Sequence, residues 1–129
     1  MQDKGLYYKK YLKKGCDQWV TFIHGAGGSS VVWHKQLKYF NNHFNLLFID
    51  LRGHGKSNKL QLSSSYNLNV ATKEIVDVLD HLKISSSLFV GVSLGTIIAT
   101  KIAKDFPKKV KKMIFMISKE ILKFYQAMN

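Results

Sequence analysis

The sequence is poor in cysteine, in acidic residues and in long apolar runs. Its single cysteine, Cys16, excludes an intrachain disulfide, and no C-x-x-C or Cys/His spacing surrounds it to suggest a metal site. No stretch approaches the length of a membrane-spanning helix, and residues 1–5 lack the apolar run of a signal peptide. We therefore expect a soluble cytoplasmic protein with no membrane span and no metal.

Acidic residues are scarce enough to leave a strong positive charge. The 129 residues carry 20 Lys+Arg against 8 Asp+Glu, a formal net charge of +12. A charge of this size keeps nucleic acid or an anionic membrane surface open as partners. The lysines are spread through every segment, however, and cluster only around residues 9–14 and 108–112. Because a dispersed charge is typical of a solvated lysine-rich surface, nucleic acid is the least favoured partner.

Short apolar runs alternate along the chain with patterns of helical spacing. The sequence predicts strands at 6–12, 19–23, 44–49, 87–90 and 110–117, and helices at 32–40, 70–82 and 94–106. Pro107 ends the last of these helices, and a further helical pattern at 118–129 carries no motif. Alternation of this kind indicates parallel βαβ units, so we expect one α/β domain over residues 1–129, with helices on both faces of a mostly parallel sheet.

The most informative stretch runs from Phe89 to Gly95. It predicts an apolar strand, then Gly91-Val92-Ser93-Leu94-Gly95, then a helix, which is the setting of a G-x-S-x-G nucleophile elbow. A sharp turn of this kind exposes the serine hydroxyl, and flanking glycines remove Cβ atoms that would clash. The helix N-terminus directs N–H groups towards a developing oxyanion. A plain strand-to-helix turn is the alternative interpretation.

Two other glycine-rich loops also follow predicted strands. His24 to Ser30 contains three glycines but completes neither nucleotide-binding glycine pattern, which leaves an oxyanion loop or a flexible connection. Asp50 to Ser57 is polar and punctuated by glycine. Since the carboxyl ends of parallel strands meet at one edge of a sheet, we expect both loops to lie close to Ser93.

With these loops, the chain resembles the N-terminal half of an α/β-hydrolase-fold protein, over roughly residues 19–117. The three motifs occur in the family's order: His24-Gly25-Ala26-Gly27-Gly28, Asp50-Leu51-Arg52-Gly53-His54-Gly55-Lys56-Ser57 and Gly91-Val92-Ser93-Leu94-Gly95. The family includes esterases, lipases, peptidases, C–C hydrolases and haloperoxidases. The resemblance therefore implies a hydrolase of small-molecule substrates, with a carboxylic ester or similar acyl substrate as the expectation and no cofactor.

The resemblance also implies a role for each motif residue. Ser93 would be the nucleophile, and the backbone N–H groups of Ala26 and Leu94 would form the oxyanion hole. The remaining motif residues would hold the loops in shape rather than take part in the chemistry: His24, Gly25, Gly27, Asp50, Arg52, Gly53, His54, Gly91 and Gly95.

The rest of the family's catalytic triad is missing. In this fold the acid and then the histidine follow the serine along the chain, yet no histidine occurs after His81. Asp105 and Glu120 are the only acids after Ser93, and Glu120 is a remote candidate for the triad acid. His24 or His54 could replace the base from the same sheet edge.

The family's full length is roughly twice that of this chain, so its last sheet strands would be missing too. We therefore expect a truncated fold that ends after the strand following the elbow helix, with a poorly active or inactive isolated chain. The alternative is a non-catalytic interaction module that self-associates through its exposed sheet edge.

Overall fold

The computed structural model of the chain describes residues 5–116 and 127, and these form a five-stranded sheet with three helices. The strands are β1 (Tyr8–Tyr11), β2 (Trp19–Ile23), β3 (Asn45–Ile49), β4 (Ser87–Val92) and β5 (Val110–Met116), and the helices are α1 (His34–Phe40), α2 (Leu68–His81) and α3 (Leu94–Asp105). Single turns of 3-10 helix lie at Ser30–Trp33, Gly55–Ser57 and Pro107–Lys109.

The strands lie in the order β1-β3-β2-β4-β5. Strand β1 pairs antiparallel with β3, and every other neighbouring pair is parallel. The mostly parallel sheet predicted from the sequence is therefore confirmed. The short tyrosine-rich strand β1 is a half-exposed edge strand, as its composition indicates. Because β1 occupies this edge, β3 and β2 lie in the interior of the sheet.

Helices cover both faces of the sheet, as predicted. Val20, Phe22 and Phe48 pack on one face against Trp33 and the apolar side of α1, which we call the α1 face. The alternate residues of the same strands form the second core with α2 and α3, including Ile23, Leu47, Ile49, Phe89, Ile75, Leu79, Ile98 and Ile102. Because β2 and β3 are buried on both faces, they show no polar alternation.

Helix α2 begins two residues before the predicted Val70. Asn67 has extended backbone angles, and its side chain accepts a hydrogen bond from the Val70 N–H at 3.0 Å. This bond satisfies one of the N–H groups that a helix start leaves without a partner. The cap therefore extends the helix towards its N-terminus.

Two apolar residues predicted on buried helix faces are exposed. Val32 is 49% exposed and Ile97 is 54% exposed. Val32 lies in the 3-10 turn Ser30–Trp33, whose tighter winding directs only Trp33 into the core. Ile97 lies one residue, or about 100° of helix rotation, from the buried Ile98.

Strand β5 is far more exposed than its apolar sequence suggests. Ile114 and Phe115 are each 49% exposed and Met116 is 38% exposed. Within the described residues, β5 pairs only with β4, so its second edge has no partner. The predicted last residue of this strand, Ile117, and the helical pattern at 118–129 lie outside the described residues, except for residue 127. No helix in the described part of the chain is long and apolar enough to cross a bilayer.

Gly95 brings the first turn of α3 against the end of β2. A Cβ at this position would overlap the Ile23 carbonyl oxygen and lie 2.7 Å from its carbonyl carbon. Backbone atoms of a buried strand cannot move aside as a flexible side chain can. The close approach of helix and strand therefore requires glycine.

We expect Gly95→Ala to lower the free energy of unfolding by about 3 kcal/mol or more, because it overpacks backbone against backbone. Glycine-to-alanine changes in an exposed helix normally raise stability by about 1 kcal/mol, so the expected sign is opposite to helix propensity. Urea unfolding measures the change. Gly5→Ala is the control, since nothing lies within 4 Å of a Cβ there. A Gly95→Ala protein as stable as wild type would contradict the packing.

Candidate active site

Ser93 occupies a strained turn between β4 and α3. Its φ of 53° and ψ of −118° are rare for a residue with a side chain, and the serine is exposed. A Cβ on Gly91 would lie 2.7 Å from the Gly95 carbonyl group and the Thr96 nitrogen. The absence of side chains at both glycines permits this turn, while the packed strand and helix hold Ser93 in its unusual conformation.

The first turn of α3 leaves an N–H group next to Ser93 without a partner. The Ser93 carbonyl oxygen accepts hydrogen bonds from Thr96 and Ile97, at 2.9 and 3.3 Å. Among the described residues, the Leu94 N–H donates to no protein acceptor. It lies at the positive end of the helix dipole, where an anion is stabilised.

The loop after β2 lies directly on Ser93. A Cβ on Gly25 would be 3.2 Å from the Ser93 Cβ and 3.8 Å from its Oγ. Gly28 donates to the Gly25 carbonyl oxygen at 3.1 Å, which closes a tight turn around Ala26 and Gly27, and Gly27 has a φ of 77°. Within the described residues, the Ala26 N–H also donates to no protein acceptor. Within the described residues, two N–H groups therefore have no acceptor: that of Leu94, the residue after Ser93, and that of Ala26, in the loop that contacts Ser93 through Gly25.

Two histidines join this loop to the loop after β3. His54 Nε2 accepts from the Gly27 N–H at 2.9 Å, and His24 Nε2 accepts from the Leu51 N–H at 3.0 Å. Each ring donates through Nδ1 to a backbone carbonyl oxygen, His24 to Gly25 and His54 to Arg52. The pattern assigns both rings as neutral Nδ1–H tautomers. Their ring centroids are 5.2 Å apart.

Asp50 also connects the same two loops. It is buried, and its carboxylate accepts from the Ser30 N–H at 2.7 Å and from the Lys56 N–H at 2.9 Å. A Cβ on Gly55 would overlap this carboxylate. Ser57 completes the loop, since its hydroxyl donates to the Asp50 carbonyl oxygen at 2.7 Å.

Arg52 pairs with α2 through Glu74. Its Nη2 lies 2.7 Å from a Glu74 oxygen, and its Nε lies 3.1 Å from both oxygens of that carboxylate. The bond to Glu74 raises the pKa of the Arg52 guanidinium above its usual value. Gly53 has a φ of 77° in the same loop. Glu74 was not among the predicted site residues, because its position off the apolar face of α2 is shared with other charged residues of that helix.

No general base contacts the serine. Among the described residues, no hydrogen bond reaches Ser93 Oγ, and both ring nitrogens of His24 and of His54 bond to backbone groups. Asp105 pairs with Lys101 at 2.8 Å on α3, and Glu120 lies outside the described residues. The described part of the chain brings together no three side chains able to hold a metal. The arrangement offers an exposed serine hydroxyl and two backbone N–H groups without a described acceptor.

Burial lowers the pKa of His24 below its usual value near 6.5, and the neighbouring His54 adds to this shift. The unfolded chain then binds a proton at His24 at a higher pH than the folded chain does. The contribution of neutral His24 to the free energy of unfolding is fully present above pH 6.5, and it is lost as the pH falls towards the lowered pKa.

We expect His24→Gln to flatten the loss of stability as the pH falls below about 6.5, because glutamine keeps an acceptor for the Leu51 N–H but does not titrate. Urea unfolding at several pH values measures the slope. His81→Gln, on the exposed end of α2, is the matched control and keeps the wild-type slope. Equal slopes in all three proteins would contradict the lowered pKa of His24.

Comparison with known proteins places this chain in a family. The family model described as alpha/beta hydrolase fold matches residues 18–127. The pimeloyl-[acyl-carrier protein] methyl ester esterase of Wigglesworthia glossinidia brevipalpis is 33% identical over 77% of this chain and 36% of its own length. The (E)-2-((N-methylformamido)methylene)succinate hydrolase of Acinetobacter baylyi is 27% identical over 80% of this chain and 38% of its own length.

Solved structures give the same result. An N-acyl homoserine lactone degrading enzyme is 30% identical with a TM-score of 0.77, covering 86% of this chain and 41% of that structure. The enol-lactonase from Burkholderia xenovorans is 25% identical with a TM-score of 0.78, covering 84% and 41%. The chain thus spans well under half the length of these relatives. With a family model matched over most of its length, the chain belongs to the α/β hydrolase fold family.

Proposed function

We propose that Ser93 is the nucleophile of a serine hydrolase that acts on a carboxylic ester or similar acyl substrate. The observation that carries this proposal is the position of Ser93. Its exposed hydroxyl lies on a strained turn beside the Ala26 and Leu94 N–H groups, neither of which has a described acceptor. Structural strain at an exposed nucleophile is typical of a catalytic position.

The chemistry follows from the groups around the serine. Ser93 Oγ attacks the acyl carbon and passes its proton to a general base. The carbonyl oxygen becomes an oxyanion that accepts hydrogen bonds from Ala26 and Leu94, whose N–H groups need no reorganisation. The leaving alcohol takes the proton, and water then hydrolyses the acyl-enzyme by the same route.

We place the general base outside these 129 residues. The ring nitrogens of His24 and His54 are occupied by backbone hydrogen bonds, and no histidine follows Ser93 in the sequence. The chain spans 36–38% of two hydrolase relatives, which leaves room in the longer proteins for this base. Loss of a triad member costs roughly 10⁴- to 10⁶-fold in rate, so the isolated chain is a poor hydrolase.

The names of the relatives favour acyl substrates. One is a methyl ester esterase of an acyl-carrier protein, and two solved relatives act on lactones by their names. Esters and lactones share a carbonyl carbon that a serine hydroxyl attacks. A serine at the elbow fits this shared chemistry.

Labelling with a fluorophosphonate probe tests the nucleophile. We expect slow, time-dependent labelling of the chain, because the oxyanion donors remain while the base is missing. Ser93→Ala abolishes it. Ser85→Ala, an exposed serine before β4, is the matched control and labels like wild type. Labelling that persists in Ser93→Ala would contradict the assignment, and a folded chain that never labels would favour the second candidate.

The second candidate is a non-catalytic module that associates through β5. The observation that favours it is the apolar, exposed outer strand, where Ile114, Phe115 and Met116 present both their side chains and an edge without a described partner. An edge of this kind is a template for pairing with another strand.

We expect the chain to self-associate at micromolar concentration, and Phe115→Lys to give a monomer, since a lysine on an edge strand opposes pairing. Light scattering coupled to size-exclusion chromatography measures the mass. Leu12→Lys is the control, because Leu12 is exposed next to β1 at the opposite edge of the sheet. A wild-type monomer would remove this candidate, as would an equal effect of both substitutions.

A further inference from the structure

An open cleft of about 310 Å³ lies on the α1 face, between β1 and the segment that leads into α1. The 3-10 turn Ser30–Trp33 and α1 pack over β2 and β3 on this face, and Tyr11 of β1 packs at the margin of the same core. None of the residues that line the cleft belongs to the turn around Ser93. Its volume is at the lower end of the range for small-molecule sites.

One wall and the floor of the cleft are aromatic. Tyr7, Lys9 and Tyr11 alternate along β1, so their side chains share the α1 face. Lys9 is paired in register with Phe48 of β3, and the rings of Tyr11 and Phe48 are 5.1 Å apart. These rings give the cleft an apolar surface that suits the body of an organic ligand.

The opposite wall comes from the segment that leads into α1, where Val31 of the 3-10 turn and Leu37 of α1 supply the aliphatic side chains and Ser29, Ser30 and His34 also line the cleft. Val31 is exposed to solvent, so an apolar group that covers it removes apolar surface from water. An apolar group placed between this wall and Tyr11 would be covered on both sides.

Two lysines in the lining have no acidic partner. Lys9 Nζ lies 5.1 Å from the Tyr11 ring centroid, and Lys56 Nζ lies 5.0 Å from that of Tyr7. Within the described residues, neither ammonium group forms an ion pair. Asp50 also lines the cleft, but it is buried and its carboxylate already accepts two backbone N–H groups. The cleft therefore carries excess positive charge at its surface.

We propose that this cleft binds a small amphiphilic anion, whose carboxylate or phosphate pairs with Lys9 and Lys56 while its apolar chain packs on Tyr11, Phe48 and Leu37. A hydrogen bond between two charged groups is stronger than a cation–π contact, so both lysines gain by leaving the tyrosine rings for the anion. The proposal does not depend on the chemistry of Ser93.

Nuclear magnetic resonance of the ¹⁵N-labelled chain tests the site with three probes of equal chain length: octanoate, octyl phosphate and octylamine. We expect both anions to shift the backbone amides of Ser30, Val31 and Lys56 in a saturable way, and octylamine to leave them unchanged. The anion that binds more tightly assigns the head group as carboxylate or phosphate.

Variants separate the charge from the apolar surface. We expect the double variant Lys9→Ala/Lys56→Ala to weaken binding of the anions by roughly tenfold or more, since it removes two charge-assisted hydrogen bonds. Lys10→Ala/Lys59→Ala is the matched control with the same net charge, and it binds as wild type does. Val31→Asp, which keeps both lysines but adds a negative charge to the aliphatic wall, also weakens binding.

Several results would overturn the proposal. These are equal binding of octylamine, amide shifts confined to residues 114–116, equal affinity of the two double variants, and no saturable shift at about 10 mM ligand. An unchanged amide spectrum outside the cleft confirms that each variant is folded. An unfolded Lys9→Ala/Lys56→Ala protein leaves the decision to Val31→Asp and the three probes.

Discussion

The contact between the first turn of α3 and the end of β2 is the constraint on which the rest of the site depends. Gly95 lies against the Ile23 carbonyl group, and Gly91 lies against the Gly95 carbonyl group, so neither position has room for a side chain. With α3 held this close to the sheet, the chain must reverse direction between β4, which ends at Val92, and α3, which begins at Leu94. Ser93 takes up the reversal in a backbone conformation that costs of order 1–3 kcal/mol in isolation.

The same edge of the sheet is held by polar side chains that accept hydrogen bonds from backbone N–H groups. His24, His54 and Asp50 each bind N–H groups from a loop other than their own or from the far end of their own loop. Irregular loops at a sheet edge have many N–H groups without strand partners, and burying them without acceptors is costly. These three side chains supply the acceptors, which fixes the loop next to Ser93 without using the serine.

Much of the fold could be predicted from the sequence because apolar runs and helical spacings alternate without interruption. The loops after β2, β3 and β4 each follow a buried strand, so their placement at one sheet edge follows from parallel pairing alone. The roles of Ser93, Ala26 and Leu94 were predicted from the motifs and stay predictions. The antiparallel direction of β1 could not be predicted, because strand composition does not encode direction.

Other features depend on packing between distant segments. Glu74 was indistinguishable from the other charged residues of α2 until Arg52 was placed next to it in space. Val32 and Ile97 are apolar, as core residues are. The tight 3-10 turn exposes Val32, and Ile97 is exposed because it lies outside the narrow buried side of α3. The exposure of β5 depends on the segments that pack next to it, and the residues of the strand itself do not specify those segments.

The strand order has a consequence for how the chain folds. Strand β2 lies between β3 and β4, yet β4 follows β2 by more than sixty residues, with β3 and α2 in between. During synthesis from the N-terminus, β1, β2 and β3 emerge and pair first, while the second edge of β2 stays open until β4 has been made. Closing that edge joins segments far apart in the chain, which is a slow step in folding. The intermediate that precedes it exposes the apolar edge of β2, so dilute conditions or a chaperone favour refolding over aggregation.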